Sequence, residues 1–254
     1  MSVAPSTACA PIAHLRSLAI PPSDYRTLRF GIPQVDSRLN GGGLRAGSLH
    51  EATAASCSLA DEAAATLFLA GIAARETNAQ GGGPVLWACT RQDLYAPALE
   101  QAGLPASSVI YAHAREDAAL LAVIEDAVRD GTPSAVIGEV GKVSMVATRR
   151  LQLVAAEADI PVLLLRRRRR NDQDPLSEPS AAWTRWRIAS APSERLGVAG
   201  VGRARWSVEL ARQRGGEGFS LIVEGCDETG RLAVPAALGH RAAETAGTVR
   251  AAAA

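Results

Sequence analysis

The sequence predicts an α/β protein: a mostly parallel β-sheet flanked by helices and extended by C-terminal antiparallel strands. Between residues 47 and 165, short apolar runs alternate with alanine-rich segments of helical period. Continuous apolar runs are typical of parallel strands covered by helices on both faces. Between residues 181 and 226, three segments instead alternate apolar and polar residues with no helix between them. That pattern is typical of antiparallel strands with one solvated face.

The parallel part is predicted to begin with a strand at residues 47–52 and a helix at residues 59–77. Apolar residues recur along this helix at helical spacing, from Leu59 through Leu67 to Ala74, and a Gly-Gly-Gly-Pro segment ends it. The other predicted elements of this part are strands at residues 84–89, 108–111, 134–140 and 161–165, and helices at residues 93–102, 115–129 and 143–158. Asp93 is the predicted N-cap of its helix. The predicted antiparallel strands are residues 181–190, 204–212 and 220–226.

The predicted domain organisation is one core domain at residues 25–235. A mobile N-terminal segment is expected at residues 1–24 and a low-complexity C-terminal tail at residues 236–254. With 47% hydrophobic and 21% charged residues, the chain of 254 residues can form a core, which excludes wholesale disorder. Because aromatic residues make up only 4% of the chain, the core is expected to consist of alanine, leucine, valine and isoleucine.

Neither the cysteines nor the histidines have the spacing of a metal site or a disulfide framework. Cys9, Cys57, Cys89 and Cys226 include no CxxC pair, and the four histidines include no HxxxH pair. The sequence therefore predicts no metal, no cofactor and a reducing, cytoplasmic environment. No apolar run reaches the ~18 residues that a membrane helix needs, so no membrane partner is expected.

Three segments carry a resemblance to a known family. Residues 28–51, LRFGIPQVDSRLNGGGLRAGSLHE, resemble the entry to the RecA-type ATPase core. Residues 205–212, RWSVELAR, and residues 224–232, EGCDETGRL, are similar to one RecA-like group, the ImuA family. These are bacterial damage-inducible accessory proteins of error-prone DNA synthesis. The resemblance covers residues 26–235 and implies a RecA-like core.

The nucleotide site of that core is expected to be degenerate. A phosphate loop needs glycines for close backbone approach, a lysine for the phosphates and a Ser or Thr for magnesium. Residues 53–62, TAASCSLADE, contain no glycine and no lysine, and the sole lysine, Lys142, lies far along the chain. Arg91 or Gln92 stands where the RecA-type catalytic Glu is expected, and Gly138-Glu139 replaces the metal-positioning Asp. Glu139 is a candidate to stand in for that Asp, but the sequence otherwise predicts a protein without ATPase activity.

A basic segment is the candidate binding surface. Residues 160–215 carry 12 arginines and five acidic residues, a net charge of +7, in a chain whose formal net charge is +1. Five adjacent arginines on a strand cannot all point one way, so some are expected to face water and attract an anion. In RecA-type proteins the corresponding loop faces bound DNA. The candidate nucleic-acid or partner-binding residues are Arg166, Arg167, Arg168, Arg169, Arg170, Arg185, Arg187, Arg203, Arg205, Arg212 and Arg214.

Two tryptophans lie among these arginines. Trp183 and Trp186 could each stack on a nucleobase, but packing beneath an arginine stem is the favoured interpretation for both.

The resemblance implies a non-catalytic adaptor of SOS-induced translesion DNA synthesis. Its implied partners are an ImuB-like inactive Y-family polymerase protein, RecA and, indirectly, an error-prone C-family DNA polymerase. Single-stranded DNA is a further candidate partner. The alternative is a damage-induced cell-division inhibitor of the SulA type, which shares the broad RecA-like ancestry, although the basic segment is not needed for capping a tubulin-like protein.

Overall fold

The computed structural model of the protein describes residues 25–168, 170–171, 173–193, 200 and 202–235. The predicted N-terminal segment and C-terminal tail both lie outside the described residues. The description therefore concerns the predicted core domain.

An eight-stranded sheet forms the centre of the fold. Its strands are β3 (Leu49–Ala54), β4 (Val85–Cys89), β5 (Val109–His113), β6 (Ala135–Val140), β7 (Val162–Arg166), β8 (Thr184–Ala191), β9 (Arg205–Gln213) and β10 (Phe219–Glu224). Their order across the sheet is β10-β9-β8-β3-β7-β6-β4-β5. From β8 to β5 in this order each strand is parallel to the next, whereas the β8–β9 and β9–β10 pairs are antiparallel. This is the predicted fold class, and the sheet is that of a RecA-like protein.

Helices cover the two faces of the sheet. The helices are α1 (Pro33–Asp36), α2 (Leu59–Ala79), α3 (Ala96–Gln101), α4 (Asp117–Asp130) and α5 (Met145–Ala158). Helix α2 packs on β3, β6 and β8, while α4 and α5 pack on the other face. Within the described ranges, no helix is both long and apolar enough to cross a membrane.

Two local predictions need correction. Helix α3 begins at Ala96, and its N-cap is Tyr95, without a side-chain hydrogen bond. Asp93 is not the cap, because its carboxylate forms ion pairs with Arg91 and Arg167. The sequence analysis also did not predict a separate small sheet, in which β1 (Thr27–Leu28) pairs antiparallel with β2 (Leu44–Arg45).

The core contains more aromatic packing than the composition suggests. All three phenylalanines of the chain contact Trp186, with ring centroids 5.5 to 5.9 Å apart. They come from the segment before α1, from α2 and from β10: Phe30, Phe68 and Phe219. The prediction of an entirely aliphatic core is therefore wrong on the α2 side of the sheet. On the α4 and α5 side, the core is aliphatic as predicted.

His50 links the central strand to its neighbour within this core. Its Nδ1 lies 2.7 Å from Thr184 Oγ1 and its Nε2 lies 2.8 Å from the Arg45 carbonyl oxygen. Trp186 Nε1 donates to the same Thr184 hydroxyl. Burial lowers the pKa of His50 from 6.5 to about 4, because the charged imidazolium would lose its hydration.

We expect His50 to make the stability of the protein depend on pH. The unfolded chain protonates this imidazole near pH 6.5 and the folded protein only near pH 4. The free energy of unfolding should therefore fall as the pH is lowered from 7 to 4, by about 3 kcal/mol from this residue. Urea unfolding of the parent and of His50→Gln should show that the variant loses this part of the pH dependence. A His113→Gln variant is the control, since His113 is exposed. Equal slopes for the parent and His50→Gln would contradict the assignment.

Candidate nucleic-acid and partner interface

The carboxyl ends of the parallel strands form the edge at which α/β proteins usually bind ligands. Here the loops after β3 and β7 are joined directly to each other. Thr53 Oγ1 donates to the Arg166 carbonyl oxygen at 2.7 Å, and the Cys57 backbone N–H donates to Asn171 Oδ1 at 2.8 Å. A backbone N–H in the loop after β3, where a phosphate loop binds its ligand, is thus already used inside the chain.

The N-terminus of α2 is closed by the chain's own side chains. Ser58 caps the helix by accepting a hydrogen bond from the Asp61 backbone N–H. The Asp61 carboxylate accepts from Ser56 Oγ at 2.6 Å and from the Ser190 backbone N–H at 2.7 Å. Asp61 therefore ties the start of the helix to β8.

Arg167 forms ion pairs with three carboxylates at this edge. Its guanidinium lies 2.5 Å from Glu139 and 3.4 Å from both Glu62 and Asp93. Burial disfavours the charged guanidinium, but the Glu139, Asp93 and Glu62 carboxylates together outweigh it and raise the pKa of Arg167. Glu139 Oε1 also accepts from Trp87 Nε1 at 2.7 Å, so both oxygens of this buried carboxylate have partners.

This arrangement bears on the candidate metal role of Glu139. A stand-in for a metal-positioning Asp needs an oxygen that is free to contact a cation. Trp87 and Arg167 occupy the two oxygens instead. Among the residues that the structure describes, no group of three or more His, Cys, Asp and Glu side chains could hold a metal ion.

A second ionic cluster surrounds Glu51, whose side chain is fully buried. The strand register places Glu51 on β3 opposite Arg185 on β8. Arg185 Nε donates to Glu51 Oε2 at 2.8 Å, while Oε1 accepts from Ser180 Oγ at 2.7 Å. Arg166, at the end of β7, lies 3.4 Å from Glu51 and 2.5 Å from Glu178. Three neighbouring strands and the loop after β7 are thus held by one carboxylate and its partners.

The loop after β7 is fastened by further arginines. Arg168 donates to the carbonyl oxygens of Ala54 and Asn171 and lies 3.3 Å from Asp174. Arg187 on β8 pairs with Asp174 and with Glu209 on β9. Although burial disfavours the charged carboxylate, a backbone N–H from Leu176 and the Arg187 guanidinium lower the pKa of Asp174.

The expectation was that some arginines of the run face water, and these contacts show that Arg166 and Arg168 are not among them. The side chains of Arg166 and Arg185 are 0% and 5% exposed, and that of Arg168 is 6% exposed. They point inward because buried or half-buried carboxylates elsewhere in the chain need counter-ions. Arg167 and Arg187 are only partly exposed and carry carboxylate partners of their own. Replacing the whole run would therefore remove internal ion pairs and weaken the fold.

Arg169 lies outside the described residues. The remaining predicted arginines lie nearer the surface, and Arg170 is exposed. Arg203 donates to the carbonyl oxygens of Gly225 and Arg231. On β9 and just after it, Arg205 is half-buried, while Arg212 and Arg214 are exposed. The prediction that nucleic acid or a partner contacts these arginines stays a prediction for the accessible ones.

The tryptophans among these arginines have separate roles. Trp186 is fully buried in the aromatic cluster, as the packing interpretation predicted. Trp183 is half-buried and lies beneath the guanidiniums of Arg45 and Arg214. Arg45 belongs to the surface around Trp183, although it lies far outside the basic segment.

Sequence reasoning missed the acidic partners of the arginine run. Glu51 and Glu139 each stand inside a strand whose every residue is buried. A glutamate within an apolar run was an available signal, because a buried carboxylate needs a counter-ion. The run supplies Arg166 to Glu51 and Arg167 to Glu139, and Arg185 on β8 is the second counter-ion of Glu51.

The fold and this closed carboxyl edge define a RecA-like α/β protein whose binding edge is filled by internal ion pairs. No protein-family model matches the chain. Protein ImuA of Caulobacter vibrioides strain NA1000 / CB15N is 37% identical over 202 residues, which cover 78% of this chain and 82% of that protein. Protein ImuA of strain ATCC 19089 / CIP 103742 / CB 15 matches to the same extent. The chain belongs to the ImuA family.

We expect the Glu51 cluster to dominate the stability of the sheet. Glu51→Gln removes the charge that neutralises Arg185 and leaves that guanidinium buried without its counter-ion. The free energy of unfolding should fall by about 3–5 kcal/mol, as measured by urea denaturation. Glu209→Gln is the matched control: its 40%-exposed carboxylate pairs with Arg187, and its loss should cost at most about 1 kcal/mol. Similar losses in both variants would contradict the expectation that the buried Glu51 pair contributes more to the free energy of unfolding than an exposed pair does.

Proposed function

We propose that the protein is a non-catalytic accessory factor of damage-induced, error-prone DNA synthesis that acts by binding other macromolecules. The single observation that carries this proposal is membership of the ImuA family over most of the described core. The resemblance that links this family to SOS-induced translesion synthesis provides the expected setting. The RecA-like fold then serves as a scaffold for binding surfaces, since function resides in sites rather than in folds.

The contacts at the carboxyl edge support a role without nucleotide chemistry. Asn171 occupies the Cys57 backbone N–H, and Asp61 is tied to Ser56 and Ser190. Arg167, the cation nearest to Glu139, is shared among three carboxylates. A triphosphate would have to displace these internal partners while meeting the negative charges of Glu62 and Asp93.

We expect the purified protein not to bind magnesium-ATP at concentrations up to hundreds of micromolar. The physical reason is that the positive charge at the edge is already neutralised and that its loop offers no glycine-rich cradle. Isothermal titration calorimetry measures this, with RecA as the positive control. Micromolar binding of magnesium-ATP would contradict the proposal that nucleotide chemistry is absent.

Partners follow from the same proposal. The ImuB-like inactive Y-family polymerase protein and RecA are the proposed direct partners, and the error-prone C-family DNA polymerase is reached indirectly. A RecA-like core without ATP chemistry can still present to RecA a surface similar to the one that RecA-type subunits present to each other. Family membership favours this role over the division-inhibitor alternative.

We expect direct binding of the full chain to the ImuB-like protein or to RecA from the same organism. Biolayer interferometry with purified proteins measures each pair separately, at physiological salt. The tubulin-like division protein is the control partner, which the chain should not bind. The proposed function would be overturned if the chain bound the division protein but showed no binding to the ImuB-like protein or to RecA at tens of micromolar.

A further inference from the structure

Away from the carboxyl edge, positive charge that has no counter-ion among the described residues gathers around one tryptophan. This Arg–Trp surface consists of Trp183, the two arginines that contact its ring, Arg45 and Arg214, and two arginines joined to them through Gln213, Arg38 and Arg212. Only Arg212 and Arg214 belong to the basic segment in the sequence. The other two come from the region between α1 and β3.

Aromatic rings hold three of the four guanidiniums. The Arg45 guanidinium carbon lies 4.7 Å from the ring centroid of Trp183 and 4.8 Å from that of Tyr25. Arg214 lies 4.9 Å from the same Trp183 centroid. Arg38 lies 5.5 Å from the ring centroid of Phe219. Cation–π contacts of this kind orient a guanidinium while leaving its charge unneutralised.

Backbone contacts fix these segments relative to each other. The Arg214 backbone N–H donates to the Trp183 carbonyl oxygen at 2.9 Å. The buried Gln213 side chain accepts from the Asn40 backbone N–H and donates to the Arg38 carbonyl oxygen. The end of β9 and the loop between α1 and β2 thus form one continuous scaffold for the arginines.

The electrostatics of this surface differ from those of the arginine run. None of the four arginines has a carboxylate of the described residues within 4.0 Å. Arg45 Nε is in addition buried without a hydrogen-bond partner. The guanidiniums of Arg45 and Arg214 share one ring, so they lie within about a Debye length, roughly 10 Å at 0.1 M salt, of each other. Two like charges held together in this way favour an anion beside them.

The charge extends along the surface from Arg214 to Arg212. Both arginines are exposed and flank the buried Gln213, the last residue of β9. Arg212 also donates to the Ser180 carbonyl oxygen at 3.3 Å, and two chain steps place its Cα at most about 7 Å from that of Arg214. The surface therefore presents a short row of positive charges, which suits a ligand with regularly repeated negative charges.

We propose that the Arg–Trp surface binds single-stranded nucleic acid. A guanidinium that lies over an aromatic ring keeps its N–H edge for a phosphate, and its outer face can stack on an unpaired base. An acidic peptide would use the N–H edges alone, so the ring-held geometry favours a nucleic acid. The contacts are to backbone and base faces, and we expect little sequence specificity. The inference rests on the proposed role in DNA synthesis, and it places the contact at Arg45, Arg212 and Arg214 rather than at the arginine run.

Fluorescence anisotropy with a labelled single-stranded oligonucleotide tests this inference on the full chain. The parent should bind with an affinity that falls as salt rises, by a log–log slope of about −0.7 per neutralised phosphate. Arg212→Ala with Arg214→Ala should flatten the slope by about 1.4 and weaken binding about 20-fold at 0.1 M salt. The matched control removes two other exposed arginines without described carboxylate partners, Arg115→Ala with Arg149→Ala, and should leave binding within about twofold of the parent.

Measurements of folding, of a tryptophan variant and of competition keep the test decisive. Circular dichroism and urea unfolding should show that the Arg212/Arg214 variant folds like the parent, because both side chains are exposed. Trp183→Leu, which keeps every charge but removes the ring, should weaken binding several-fold with little change in slope. Poly-glutamate at equal charge should compete poorly with the oligonucleotide.

The outcomes separate this inference from the proposed function. Equal binding by the parent and the Arg212/Arg214 variant, or equal losses in both double variants, would overturn the assignment of the surface. Strong competition by poly-glutamate would overturn the choice of nucleic acid. Absence of DNA binding by the parent, alongside binding to the ImuB-like protein or RecA, would overturn the inference and leave the proposed function standing.

Discussion

The buried carboxylate of Glu51 is the interaction on which the centre of the structure depends. It lies on β3, between the strands that carry Arg166 and Arg185, and its side chain is 0% exposed. An unneutralised charge at this depth would cost several kcal/mol. The need to neutralise it selects the register of β3 against β8 and draws the end of β7 inward. Through Glu178 and the carbonyl oxygens of the following loop, the same arginines then hold that loop against the sheet.

The same solution is repeated at the carboxyl edge, where a nucleotide-binding relative would keep its positive charge for phosphate. Arg167 is shared by Glu139, Glu62 and Asp93, and Arg168 pairs with Asp174. Arginine suits both tasks, because its planar guanidinium can contact several acceptors at once. The edge has thus become part of the protein's internal support. A chain organised in this way gains rigidity where an ATPase needs an open, charged site.

Because the arginines at the carboxyl edge are paired internally, the accessible positive charge lies at another part of the surface. Just before β8, the Trp183 ring lies against the guanidiniums of Arg45 and Arg214, and no described carboxylate neutralises them. Arginine therefore has two roles near the start of this strand: Arg185 is an internal counter-ion, whereas Arg45 and Arg214 keep their charge for the surface. For a member of the ImuA family, this division fits a protein that works through its surfaces. The scaffold presents those surfaces, and the ionic clusters keep the scaffold in one arrangement.

The sequence by itself determined the fold class and nearly every strand and helix, because apolar runs and helical periods are local patterns. It also located the arginine-rich segment and the loop without glycine or lysine. It did not determine which arginines are available, since Glu51 is separated from Arg166 by 115 residues and from Arg185 by 134. Only the tertiary structure brings these charges together, or places Arg45 beside Trp183. Net charge adds along a chain, whereas the neutralisation of each charge depends on neighbours that strand register and packing supply.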